Sequence, residues 1–254
     1  MIYIEQIPVM NDNYIYILVD KSTNQTACVD PGVTSEVINY LDNKNLGLNF
    51  ILNTHHHADH IGGNITLKKK YGCKVVGNKN DANRIPGIDI FIEEGDQLSI
   101  GNSVCSILEV SGHTNGHISY FFEKDFALFC GDTLFSLGCG RLFEGTPSQM
   151  VRSLKKIRSL PDDTMIYCAH EYTEANSRFA SYLTPDDNLL KKKIFEIKEK
   201  RSKNIPTVPT RLSEEKKLNP FLKFDNKSYF DAIGMDFLSS SMNFGRIRKL
   251  KDKF

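Results

Sequence analysis

Short apolar runs punctuated by turn residues fill the first two thirds of the chain. IYIEQIPV (2–9), YIYILVD (14–20) and TACVD (26–30) read as strands and hairpins, the last closed by Asp30-Pro31-Gly32. Thr34 or Ser35 can cap a helix through Val37, Ile38 and Leu41, whose spacing makes one apolar face, with Gly47 just past its end. LNFILN (48–53) is a short apolar strand, and Gly62-Gly63 opens a helix through Ile65 and Leu67 to Tyr71, stopped by Gly72. KVVG, SVCSILEV, HISYFF, FALFC and TMIYCA continue as strands. From about Glu171 the pattern turns helical, through ANSRFASYL and NLLKKKIFEIKEKR to a connection punctuated by Pro206, Pro209 and Pro220. Mixed strands and helices followed by a helical tail predict an α/β sandwich over residues 1–172 and a helical C-terminal domain over residues 173–254.

The stretch between the strand at 48–53 and the helix after Gly62 adds chemistry to this scaffold. THHHADHIGG (54–63) holds four of the chain's seven histidines. His55 and His57 are two apart, so on an extended segment both imidazoles point one way while His56 points the other. A turn into the following helix lets Asp59 and His60 face the same cavity from its other side. Nitrogen and carboxylate donors without a thiolate suit zinc, iron or manganese. Four such groups could close a single tetrahedral structural site. Three further polar residues, however, stand at the ends of apolar strands: His113 after SILEV, Asp132 after FALFC and His170 after MIYC. Seven candidate ligands exceed the needs of one ion and suit two, with a carboxylate bridging and coordination left open for water.

Composition bounds the picture further. A chain of 254 residues with 40% hydrophobic and 25% charged side chains is that of a globular protein. Six cysteines without a CxxC pair read as buried free thiols. No apolar run of membrane-spanning length occurs, and the first residues lack a basic-then-apolar signal, so a cytoplasmic location is expected. The net charge of +1 conceals an asymmetry: residues 191–254 carry 17 Lys and Arg against 8 Asp and Glu, a balance of +9, and residues 1–190 carry −8. An acidic first part suits cations, and a basic last part suits an anionic ligand or a nucleic acid. KKKIFEIKEKRSK taken alone reads equally well as a solvated helix face.

HHHADH, GHTNGH, GDTLF and CAHEYT, in that order, resemble the metallo-β-lactamase superfamily over the first 170 or so residues. The resemblance implies an αββα sandwich with metals at one edge. It implies that His55, His57 and His113 hold one ion, that Asp59, His60 and His170 hold a second, and that Asp132 bridges them. His56 falls at the variable position of the motif and His117 at its supporting second histidine, so neither is expected to be a ligand.

LGCGRLFEGT (137–146), HEYT, NPF (219–221) and the terminal RIRKLKDKF (246–254) resemble, more closely, the glyoxalase II family of hydroxyacylglutathione hydrolases, over essentially the whole chain. That resemblance makes residues 173–254 a glutathione-binding domain, with Arg141, Tyr172, Arg248 and Lys251 on the glutathione moiety. Phe143 stands where the family commonly has tyrosine, so one hydroxyl contact is missing. Glutathione carries two carboxylates, which arginine can meet with paired donors. The implied reaction is hydrolysis of S-D-lactoylglutathione to glutathione and lactate, the second step of methylglyoxal detoxification. A hydroxide on two divalent ions, zinc first with iron or manganese as alternatives, is the expected nucleophile, with Asp59 and Asp132 assisting and neither Ser136 nor Cys139 required. The expected partner is a small glutathione thioester bound by a monomer, with no nucleic acid and no membrane. Competing readings are a glutathione persulfide dioxygenase of the same fold, a metal-dependent ribonuclease using the basic tail, and a binding module without catalysis.

Overall fold

A computed structural model describes residues 1–254. The chain forms two compact units, one of residues 1–109 with 116–131, the other of residues 110–115 with 132–254.

The first unit opens with strands β1 (Ile2–Val9), β2 (Asn13–Asp20) and β3 (Thr26–Val29), followed by helix α1 (Ser35–Asn43), β4 (Phe50–Leu52), α2 (Ala58–Ile61), α3 (Asn64–Tyr71), β5 (Lys74–Asn78) and β6 (Ile88–Ile92). These six strands make one sheet in sequence order, antiparallel from β1 to β3 and parallel from β3 to β6. Parallel neighbours need crossover connections, which α1 and the α2–α3 pair supply. Every residue of β2 is buried because both of its faces are covered. Ile15 and Ile17 join Val37, Leu41, Ile51, Leu67 and Val75 in the core on the helical side. Tyr16, on the other face, meets Phe129 edge-on at 5.4 Å.

Phe129 belongs to the second set of strands, β7 (Gln97–Ile100), β8 (Ser103–Glu109), β9 (Ile118–Phe122) and β10 (Ala127–Gly131), all paired antiparallel. From β9, the buried Tyr120 hydroxyl donates to the Asn53 carbonyl at 2.9 Å, fixing the chain as it leaves β4 for the histidines. The two glycines after that cluster serve close approach: a Cβ on Gly62 would lie 2.4 Å from the Gly32 carbonyl oxygen and one on Gly63 2.6 Å from that of Pro31.

The second unit contains the hairpin β11 (Leu134–Phe135) and β12 (Gly138–Cys139), α4 (Pro147–Arg158), β13 (Met165–Cys168), α5 (Thr173–Leu183), α6 (Asn188–Ser202), β14 (Thr210–Arg211), α7 (Leu212–Leu218), α8 (Lys227–Ala232) and α9 (Ser240–Lys253). The hairpin is held from α7 and the turn after it. The Leu137 amide donates to the buried Glu215 carboxylate at 2.8 Å, and Asn219 Nδ2 donates to the carbonyls of Phe135 and Gly138 at 3.1 and 3.0 Å. Burial pushes the Glu215 carboxyl up, and the donors around it oppose that shift. These bonds tie residues 132–140 to the helical tail, so the compact units divide the chain differently from the 172/173 boundary read from the sequence.

Several local expectations are corrected. The tail is not wholly helical, since Thr210 and Arg211 pair with Ile166 and Met165. Thr34 makes no side-chain cap because its backbone is already helical, and the positive φ after α1 falls on Asn45 rather than Gly47. Asp59 and His60 sit on their own short helix, α2, before Gly62. No helix is long and apolar enough to cross a membrane.

Asn219→Ala leaves two buried carbonyls without their donor. Urea denaturation is expected to show a loss of roughly 1–3 kcal/mol. An unchanged midpoint and slope would contradict the bracing role.

Candidate active site

In the first unit the donors come from the segment leaving β4. His55 is fully buried and its Nε2 lies 3.0 Å from His57 Nδ1, so the alternating pair converges. Thr54 Oγ1 donates to Asp30 Oδ2 at 2.6 Å and therefore accepts from His55 Nδ1, 3.1 Å away. That arrangement keeps the proton on Nδ1 and the lone pair on Nε2. Asp30 Oδ2 also stands 3.0 Å from His60 Nδ1, while His60 Nε2 lies 3.4 Å from Asp59 Oδ2. Asn13 Nδ2 steadies Asp59 with a 2.9 Å hydrogen bond to the same oxygen. His117, buried, stacks on His55 with centroids 4.6 Å apart and donates from Nδ1 to the Ile118 carbonyl. His56 turns away, toward Asp81 at 3.1 Å.

In the second unit His113 donates from Nδ1 to the Arg141 carbonyl at 2.8 Å. Its Nε2 lies 3.4 Å from Asp132 Oδ2, and His170 Nε2 lies 3.3 Å from Asp132 Oδ1. Asp132 thus stands between His113 and His170, with one imidazole nitrogen near each carboxylate oxygen. The His170 ring stacks on Tyr172, 4.7 Å between centroids and 3° from parallel, which fixes both rings.

His113 and Asp132 line a cleft of about 600 Å³ whose walls also include Arg141, Phe143, Tyr172, Arg178, Arg248 and Lys251. Arg248 is nearly buried. Its Nη1 donates to the Cys139 carbonyl at 2.9 Å, its Nε and Nη2 lie 3.0 and 2.9 Å from Asp252 Oδ1, and its guanidinium covers the Phe221 ring. Lys251 Nζ donates to the Ala175 carbonyl at 3.1 Å, over the rings of Phe179 and Phe254. Burial first, then Arg248, Arg178 and Arg141, pull the Lys251 ammonium down to about 8. Phe143 is 63% exposed and meets His113 edge-on. Burial pushes the Cys139 thiol up to about 11 despite Arg248, and that of Cys168 up to about 12, so neither offers a thiolate near neutral pH.

Asp30, Asn13, Asp81 and Arg178 escape the sequence reading. Asp30 had a signal: like Asp132, it follows an apolar strand directly, but Pro31-Gly32 gave it the look of a turn residue. Nothing in the local sequence separates Asn13, Asp81 or Arg178 from ordinary surface polar residues.

Residues 12–170 match the model of the metallo-beta-lactamase superfamily, and residues 171–254 match that of the hydroxyacylglutathione hydrolase C-terminus. A hydroxyacylglutathione hydrolase of Methylococcus capsulatus is 46% identical over 254 residues, spanning 100% of this chain and 99% of its own length. That of Pelagibacter ubique is also 46% identical, spanning 99% of each. Among solved structures, ETHE1 from Myxococcus xanthus superposes with a TM-score of 0.71 at 26% identity, covering 97% of this chain and 90% of its own. The B3 metallo-beta-lactamase BLEG-1 gives 0.66 at 24% identity over 87% of this chain and 99% of its own, a likeness of fold. The superfamily and the His and Asp donor groups together imply a two-metal site. The chain belongs to the metallo-beta-lactamase superfamily and, within it, to the hydroxyacylglutathione hydrolase family.

Proposed function

We propose that this protein hydrolyses S-(2-hydroxyacyl)glutathione thioesters, S-D-lactoylglutathione among them, to glutathione and the free 2-hydroxy acid. The observation that carries this reading is the lining of one cleft of the second unit. It brings two metal-type donors, His113 and Asp132, together with the cations Arg141, Arg178, Arg248 and Lys251. A ligand with a reactive acyl group at one end and carboxylates at the other fits that distribution. The full-length relatives named for the same reaction support it.

The donors suit borderline and hard divalent ions. They are imidazole nitrogens and carboxylate oxygens, and the nearby thiols stay protonated. His55, His57 and His113 would hold one ion, Asp59, His60 and His170 the other, and Asp132 would bridge, with zinc the first choice of metal. Such a pair, when bound, acidifies water and polarises the thioester carbonyl. The chain's own residues do the rest. Asp30, Thr54 and the Arg141 carbonyl orient the rings, Asp59 can take the proton that water loses, and Arg141, Arg248, Lys251 and Tyr172 seat the glutathione moiety. The water oxygen adds to the thioester carbonyl carbon, the C–S bond then breaks as the carbonyl re-forms, and glutathione leaves as its thiol with the proton that Asp59 held. Residues 1–172 and 173–254 then form the metal-binding and glutathione-binding parts, in line with the change of family match after residue 170. We read the protein as a cytoplasmic monomer acting on a small molecule rather than on nucleic acid or membrane.

Spectrophotometric assay with S-D-lactoylglutathione is expected to show thioester cleavage that chelation and Asp132→Ala each reduce by roughly a hundredfold or more. Full activity after chelation would overturn the two-metal reading. Lys251 is cationic below about pH 8 and loses its charge above it. KM is therefore expected to rise as pH passes 8, more steeply than kcat changes, and Lys251→Arg is expected to flatten that rise. A rise that persists in Lys251→Arg would refute the role of this ammonium.

A further inference from the structure

His56 is the one histidine of THHHADH that turns away from the ligand side, yet it is closely held. Its Nδ1 lies 3.1 Å from Asp81 Oδ2, and its Nε2 lies 3.2 Å from Arg84 Nη1. Arg84 Nη2 donates to the other Asp81 oxygen at 2.5 Å, closing a three-membered ring of contacts. A guanidinium can only donate, so His56 Nε2 accepts, and the ring proton sits on Nδ1, facing Asp81. Asp81 is 1% exposed, whereas a surface ion pair would leave its carboxylate in water. Its place is set by β5: Asn78, the last residue of that strand, caps the short 3₁₀ turn that ends at Asp81. Room for the carboxylate comes from Gly116, where a Cβ would lie 2.2 Å from Asp81 Oδ1. Gly116 immediately precedes His117, the ring stacked on His55. One buried carboxylate thus abuts both histidine-bearing segments of the first unit.

We propose that Asp81 is a positioning residue of the metal centre, fixing through His56 the backbone that presents His55 and His57. The inference rests on the two-metal reading above and extends it to a residue that touches neither substrate nor ligand atoms. With His56 clamped on both nitrogens, the backbone between His55 and His57 is anchored on the side away from their rings, which meet at 3.0 Å. Without the clamp, the segment can rotate and the two ligands lose their common direction.

The test is zinc retention against a chromogenic chelator, with thermal unfolding of the metal-stripped proteins measured in parallel. Asp81→Ala and His56→Ala are each expected to weaken zinc retention roughly ten- to a hundredfold, the range for residues that orient metal ligands. His56→Asn, whose amide can still donate to Asp81, is expected to stay within a few-fold of the native protein. The double alanine variant is expected to be no worse than Asp81→Ala, because the two residues act as one device. If Asp81→Ala does not fold, the comparison of His56→Ala with His56→Asn carries the same decision. Native retention in His56→Ala and Asp81→Ala, with only a lower unfolding temperature, would overturn the proposal and leave a structural ion pair. A native protein that retains no zinc, iron or manganese would instead overturn the two-metal reading itself.

Discussion

An imidazole has two nitrogens, and a ligand histidine is useful only when its proton is held on the one the metal does not need. At the proposed ligands this condition is met by Thr54 at His55 and by the Arg141 carbonyl at His113, and the Asp30 carboxylate stands 3.0 Å from His60 Nδ1. Each of these partners is buried or belongs to backbone, so none can drift with the solvent. The fold then follows from the need to deliver such partners. Asp30 sits at the end of β3, the histidine segment at the end of the neighbouring β4, and Tyr120 from the facing strands pins the carbonyl between them. The loops at the carboxyl ends of neighbouring parallel strands bring these residues together without further contrivance.

The second unit solves a different problem, that of holding cations against each other in a partly dry cleft. Arg248 is offset by Asp252 and by the face of Phe221, whereas Lys251 has carbonyl and ring contacts but a surplus of positive neighbours. Its depressed ammonium reflects burial first and that surplus second. An anionic ligand would relieve that repulsion, so the proposed dicarboxylate substrate and the charged form of the lysine favour one another. Glu215 and Asn219 keep the hairpin that carries Cys139 in place beneath Arg248, which links the basic tail to the donors His113 and Asp132 through hydrogen-bonded backbone.

Much of this was legible in the sequence where a short-range rule governs. Alternation separated His55 and His57 from His56, and apolar runs marked the strands before Asp132 and His170. A signal diluted by exposure is lost, since strand 88–92 has only one buried residue; α4, by contrast, carries a legible start in the capping box of Thr146, Pro147 and Gln149 and five buried residues. Contacts distant in sequence were not legible at all. Asp81 lies 25 residues from His56, and no local pattern marks it as anything but a polar turn residue. Arg248 and Lys251 were singled out by resemblance, because a basic C-terminal helix by itself looks like a solvated one.

The central claim is the proposed pair of ions held by the His and Asp donors, and electron paramagnetic resonance of the manganese-loaded protein addresses it most directly. Two ions bridged by Asp132 are expected to give an exchange-coupled multiline spectrum at two manganese per chain. A simple six-line spectrum of isolated ions at full loading, or saturation at one ion per chain, would contradict the account.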